Sequence, residues 1–239
     1  MTGADGLSAA DRLCAACVEL LPVDGAAISV ITSGATRGTF GSSGEFSRRL
    51  DEFQFTFGEG PCLDAVANRC PVLAADLGDP NEQRWPAFTP AVLNAGVRAV
   101  FAFPTAIATA YVGVLDLFCT APGPLSTRAT SGALWAAELA ALPLLDLMSA
   151  DIDWVAAGEG GDGWEQLASL ERVEVYQATG MIMGQLNVNS TEALARLRGH
   201  AFVTGRTASE VAWDIVERRL ILEADDAPPR GPYRGESDE

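Results

Sequence analysis

Strand-forming runs are confined to the first half of this chain, and helical periodicity governs the rest. AAISVIT at residues 26–32 is short and β-branched, and RAVFAFP (98–104) and TAIATAYVGVLDLF (105–118) are longer runs of similar character. Such runs read as buried strands. Residues 37–42 are placed to return antiparallel to the first, and PVLAAD (71–76) supplies another strand. The two long runs, joined at Pro104 and Thr105, are expected side by side at the centre of a sheet. Helical spacing marks residues 8–21, with Ser8 as N-cap, then 46–55, the stretch after Pro61, and 84–96 closed by Gly96. It returns over 126–148, with Pro143 as a kink.

Four glycines (Gly158, Gly160, Gly161, Gly163) make residues 149–163 a hinge, after which no strand pattern recurs. Three helices are expected, over 164–186, 191–204 and 207–222. Ser190 is the N-cap of the second, Gly205 closes it, and Thr207-x-x-Glu210 forms a capping box for the third. The tail from 223 is rich in Pro, Gly and acid, the composition of a disordered segment. The fold class is therefore an α+β domain followed by an all-α three-helix domain.

Charge narrows the function. The chain carries a formal net charge of -16, and all 16 of its cationic side chains are Arg. Such a molecule repels polyanions at long range, so any nucleic-acid contact must rest on a local patch. No apolar run reaches membrane-spanning length, and the richest one is interrupted by Asp116. The N-terminus shows no secretory pattern, which makes the cytoplasm the expected compartment. Catalysis is not expected: Lys is absent, and no Ser/His/Asp or Cys/His set exists beyond the lone His200. No metal ligands are expected either, since Cys14 and Cys17 lack a second pair. Cys62 follows Gly60 and Pro61 at a helix start; inert packing is its main reading and a redox-active thiol the alternative.

On a helical wheel Val175, Ala178, Ile182 and Leu186 share one face. So do Leu194, Leu197 and Ala201 on the second helix, and Ala208, Val211, Ala212, Ile215 and Leu220 on the third. These stripes suit a small core. Gln177, Gly180 and Gly184 lie off the stripe, and a glycine inside a helix costs about 1 kcal/mol against alanine. Close approach of a ligand or of another helix would offset that cost. Arg196, Arg198, His200 and Arg206 gather nearby, opposed between 185 and 210 only by Glu192 and Glu210.

The stretch EVYQATGMIMGQLNVNSTEALARLRGHAFVTGRTASEVAWDIV resembles the ANTAR domain, a three-helix RNA-binding module of bacterial antitermination regulators. The match runs through Ala178-Thr179-Gly180, Met183, Glu192-Ala193, Leu197-Arg198, Ala201 and Ser209-Glu210-Val211-Ala212. Thr179 stands where that family usually has Lys. The resemblance implies recognition of paired stem-loops in leader transcripts, one loop for each copy of the domain, and hence a homodimer. The implied RNA-binding residues are Gln177, Ala178, Thr179, Gly180, Met183, Arg196, Arg198, His200, Arg206 and Ser209.

Upstream, DGAAISVI, FSRRLDEFQFTFGEGPCLDAV, PVLAADL, GVRAVFAFP and YVGVLDLF resemble a GAF domain. That implies an antiparallel sheet flanked by helices, with a pocket for a small-molecule effector near Ser29, Arg37, Trp85 and Phe103. The expected layout is a GAF-like sensor at 1–148, a linker at 149–163, the ANTAR unit at 164–222 and a tail at 223–239. The implied function is transcription antitermination through RNA, controlled by a signal at the GAF unit and without a resident cofactor. The alternative is a ligand sensor whose C-terminal helices bind a protein partner or, less favoured, DNA.

Overall fold

The computed structural model describes residues 3–32, 35–145 and 172–223. The expected linker at 149–163, the first turns of the helix from 164 and the tail from 224 onward lie outside the described residues. The N-terminal domain comprises α1 (Gly3–Leu20), β1 (Gly25–Thr32), β2 (Ala35–Ser42), α2 (Glu45–Phe57), α3 (Pro61–Asn68), β3 (Val72–Ala74), α4 (Phe88–Asn94), β4 (Ala99–Ile107), β5 (Ala110–Cys119) and α5 (Thr127–Leu139). The C-terminal helices are α6 (Val173–Leu186), α7 (Ser190–Thr204) and α8 (Ala208–Val216).

The strands form one five-stranded sheet in the order β2-β1-β5-β4-β3, every pair antiparallel. Alternation divides its side chains between two cores. Ile28, Phe101, Phe103, Leu115 and Leu117 pack with α1 and α5; Ala27, Ile31, Val100, Ala102, Val114 and Phe118 pack with α2, α3 and α4. Both faces are buried, which is why the strands read as near-continuous apolar runs. The exceptions on the second face are polar: Ser29 and Asp116, both fully buried.

Several boundaries differ from the expectation. Helix α1 begins at Gly3, so Ser8 lies inside it rather than capping it. The two long runs do not join at Pro104 and Thr105: β4 continues through Pro104, paired with Val114, and turns at Ala108, whose φ is 54°. Short β3 reaches only as far as Ala102 along β4, so Pro104 sits where that strand has become an edge. Asn189, not Ser190, caps α7, its side chain accepting from the Glu192 N–H at 2.9 Å. Helix α8 stops at Val216 because Arg218 adopts φ 58° and reverses the chain. The Arg219 N–H then donates to the Asp214 carbonyl (2.7 Å) and the Arg218 N–H to that of Ile215 (3.0 Å), a Schellman closure with Arg in glycine's usual place. The apolar period that suggested a longer helix belongs to Leu220 and Leu222, which fold back on the core.

Gly113 marks a close backbone crossing between β5 and β1. A Cβ there would meet the Ser29 carbonyl oxygen at 2.7 Å and the Leu144 side chain at 2.9 Å. Gly113→Ala is expected to destabilise the N-terminal domain by about 1–3 kcal/mol, read as a lowered midpoint in thermal or urea unfolding.

Candidate RNA interface and sensor core

Helix α6 presents its buried side (Val175, Ala178, Ile182) to α7 and α8. Its other side carries Tyr176, Gly180 and Gly184 at four-residue intervals, with Gln177 and Met183 beside them, all exposed. A Cβ at Gly180 or Gly184 would meet nothing within 4 Å. The glycines therefore serve no helix crossing among the described residues. Instead they floor a groove of about 400 Å³ lined also by Met181, Gln185, Ile215, Arg218, Leu220 and Ile221. The far wall is the segment that folds back after Arg218. Tyr176, 60% exposed, adds a flat aromatic surface one turn from Gly180.

The expected cationic patch does not assemble. Arg196 pairs with Glu192 at 2.8 Å along its own helix. Arg206 pairs with Asp214 at 2.8 Å and donates to the Glu210 carbonyl at 2.7 Å. Counting opposing charge only to Glu210 missed Asp214, one turn further along α8. The Arg219 and Arg206 guanidiniums hold the Asp214 carboxyl below its ordinary range. Ala178 is core, and Thr179 is buried with its hydroxyl donating back to the Val175 carbonyl at 2.7 Å, so neither faces a ligand. His200 and Ser209 are half-buried. The sequence reading overlooked Tyr176 and Arg218; helical phase with the glycines was the available signal for Tyr176.

Arg198 is turned away from solvent toward α2. Its guanidinium lies 4.9 Å from the Phe55 ring centroid, and that of Arg172, the residue preceding α6, lies 4.0 Å from it. Two cations on one ring are worth about 0.5–2 kcal/mol each. Desolvation depresses the pKa of both, and for Arg198 the charge of Arg172 adds to it. Around this clasp Phe57 meets Phe202 edge-on at 5.6 Å. The Thr56 hydroxyl accepts the Ala208 N–H at 2.9 Å, occupying a free donor at the start of α8.

The opposite side of α2 closes over the sheet. Asp51 accepts hydrogen bonds from Ser29 and from Thr39 (2.7 Å). Gln54 donates to Asp116 (2.7 Å) and accepts the Cys62 N–H (2.8 Å). Gly60 (φ 140°) is required here, since a Cβ would lie 2.6 Å from Gln54 Oε1. Burial first, then the Asp51 charge, push the Asp116 carboxyl well above its usual range. Of the expected pocket residues whose side chains are described, only Ser29 reaches this cluster. Trp85 is core, its indole donating to Asp64 at 2.9 Å. Phe103 faces the other way, toward α1 and α5. Arg37 lies in β2, but its side chain falls outside the described residues. Burial also raises the Cys14 and Cys17 thiols, the latter to about 11.

A raised carboxyl pKa in the folded state means the proton bound by Asp116 stabilises the fold below the ordinary carboxyl pKa, and that contribution is lost as pH rises through the folded value. Asp116→Asn keeps the shape of the neutral acid without the titration. The variant is expected to gain stability relative to the parent as pH increases from acid to neutral, measured by urea unfolding across that range.

Residues 166–216 match the family model described as the ANTAR domain. Among curated proteins none matches the sequence. Solved structures similar to the N-terminal part include a type II free methionine-R-sulfoxide reductase from Thermoplasma acidophilum, 17% identical, covering 61% of this chain and 96% of that one, TM-score 0.49. The GAF domain region of a putative membrane protein from Geobacter sulfurreducens is 14% identical, covering 59% and 93%, TM-score 0.47. A GAF domain/HD domain protein from the same organism is 18% identical, covering 58% and 91%, TM-score 0.47. At these values the likenesses carry no argument about what the domain senses. The chain thus carries an antiparallel α+β domain followed by a segment, residues 166–216, that matches the ANTAR domain.

Proposed function

We propose that this protein is a non-catalytic antitermination regulator that binds paired stem-loops in nascent leader RNA under control of its N-terminal domain. The open groove over Gly180 and Gly184, inside the segment matched to the ANTAR domain, is the observation that carries this reading. Unstacked loop bases are recognised by stacking and edge hydrogen bonds more than by phosphate charge. Such a mode suits an acidic protein. The groove offers an apolar floor, Gln185 for hydrogen bonding, Arg218 at the rim and Tyr176 as a stacking surface.

Control is assigned to α2, which touches the buried polar cluster with Asp51 and Gln54 and the ANTAR helices with Phe55 and Thr56. Pairing of two RNA loops requires two ANTAR units. The exposed stripe of Trp135, Leu139 and Leu142 along α5 and the helical turn after it supports a homodimer, Trp135 being 68% exposed.

Gly180→Leu and Gly184→Leu replace poor helix formers on an open face, so each is expected to stabilise α6 while filling the groove. In a mobility shift with a two-stem-loop RNA they should weaken binding roughly 10- to 100-fold, the scale of a lost base stack. Unchanged affinity, or equal binding of a loop-scrambled RNA or a DNA duplex, would refute the proposal. Because Arg198 stacks on Phe55, Arg198→Ala is expected to leave the salt dependence of RNA binding unaltered; a slope reduced by about one would place Arg198 on phosphate. Trp135→Glu with Leu139→Glu is expected to give a monomer by analytical ultracentrifugation.

A further inference from the structure

The arginines described in the C-terminal helices and the segment after them divide by what holds them. Arg196 is paired with Glu192, and Arg172 and Arg198 lie on the Phe55 ring. Arg206 and Arg219 both reach the Asp214 carboxylate, at 2.8 Å and 2.7 Å, and Arg219 also meets Glu217. The acids at the end of α8 are thereby taken. Arg218 is exposed, and its side chain makes no hydrogen bond, ion pair or ring contact among the described residues.

The same residue carries the one charge on the groove that Gly180 and Gly184 floor, every other residue lining it being neutral. We propose that Arg218 is the phosphate contact of this groove. Each ANTAR unit then neutralises a single RNA phosphate, that of the nucleotide whose base enters over the glycines. This assignment rests on the reading of the groove as the RNA site. A base that inserts leaves its sugar and phosphate outside, where the phosphate oxygens meet the rim. A guanidinium forks onto such oxygens with two parallel N–H donors. Having no carboxylate partner among the described residues, Arg218 gives up no ion pair in doing so.

A single contact per unit implies a shallow salt dependence. Each phosphate neutralised on a single strand contributes about -0.7 to the slope of log K against log salt, so two loops held by two copies give about -1.4. The net charge of -16 works the other way, since screening relieves its repulsion of RNA. Removing Arg218 leaves only that second effect. The backbone supplies a clean variant: Arg218 has φ 58°, in the left-handed region that glycine adopts without steric cost. Arg218→Gly therefore deletes the guanidinium while easing the chain reversal. Arg69 closes α3 with φ 55° and is also exposed, so Arg69→Gly removes the same charge with the same backbone change outside the groove.

The test is a salt series of mobility shifts with the full chain, a two-stem-loop RNA, its loop-scrambled version and versions with single loop-base substitutions. The parent slope should be no steeper than about -1.4. Arg218→Gly should weaken binding at low salt by at least about 10-fold, the scale of a lost hydrogen bond to a charged group. Its slope should be flat or positive, its loss equal across the loop-base substitutions, and its thermal unfolding midpoint no lower than the parent's. Arg218→Lys should restore most of the slope, because an ammonium also pairs with phosphate as a point charge, and Arg69→Gly should keep the parent slope. A clearly steeper parent slope, a parental slope in Arg218→Gly, equal flattening in Arg69→Gly, or a loss confined to one loop base would each overturn the phosphate assignment. In all four cases a parent that still prefers intact over scrambled loops leaves the RNA reading standing. A parent without that preference removes both.

Discussion

Everything in this molecule turns on one helix being buried on two sides by different chemistry. The inner side of α2 sets Asp51 and Gln54 into a polar cluster at the centre of the sheet, where an unmatched charge is expensive. Its outer side sets Phe55 under two guanidiniums of the C-terminal domain. Glu52 sits between these worlds: desolvation raises its carboxyl, and Arg172 and Thr207 across the contact pull it back down. A shift or rotation of α2 that improves one side disturbs the other. That mutual dependence ties the packing of the buried polar cluster to the packing of α6 and α7.

The fold was largely legible because both sheet faces are buried, so β-branched runs stood out, and because the ANTAR helices repeat apolar residues at clean helical spacing. The capping box at Thr207 and Glu210 is present as read. Errors clustered where local pattern and tertiary pairing disagree. Pro104 looked like a break because proline usually ends a strand, yet the edge position tolerates it. The helical period past Val216 was genuine, but it reflects residues packing after a chain reversal that only Arg218's backbone reveals.

The candidate site was harder to read. Arg198 and Arg206 were chosen as cations near the right helix, and what they touch is set by residues far away in sequence, Phe55 and Asp214. The sensor core was missed for the same reason. Asp116 registered only as a charge interrupting an apolar run, while Asp51 and Gln54 looked like ordinary positions on an amphipathic helix. The open face at Gly180 and Gly184 was easier to notice, because an absent side chain in a helix has a local cost visible in the sequence itself.

The chain reversal at Arg218 has an evolutionary corollary. One wall of the groove is built from a few residues beyond the last helix and the other from the helical scaffold. The two walls answer to different constraints, since the scaffold must preserve a ten-residue buried core and the returning strand of chain need only pack Leu220 and Leu222. Substitutions in this short peptide can thus reshape one wall of the groove while leaving the folding unit untouched.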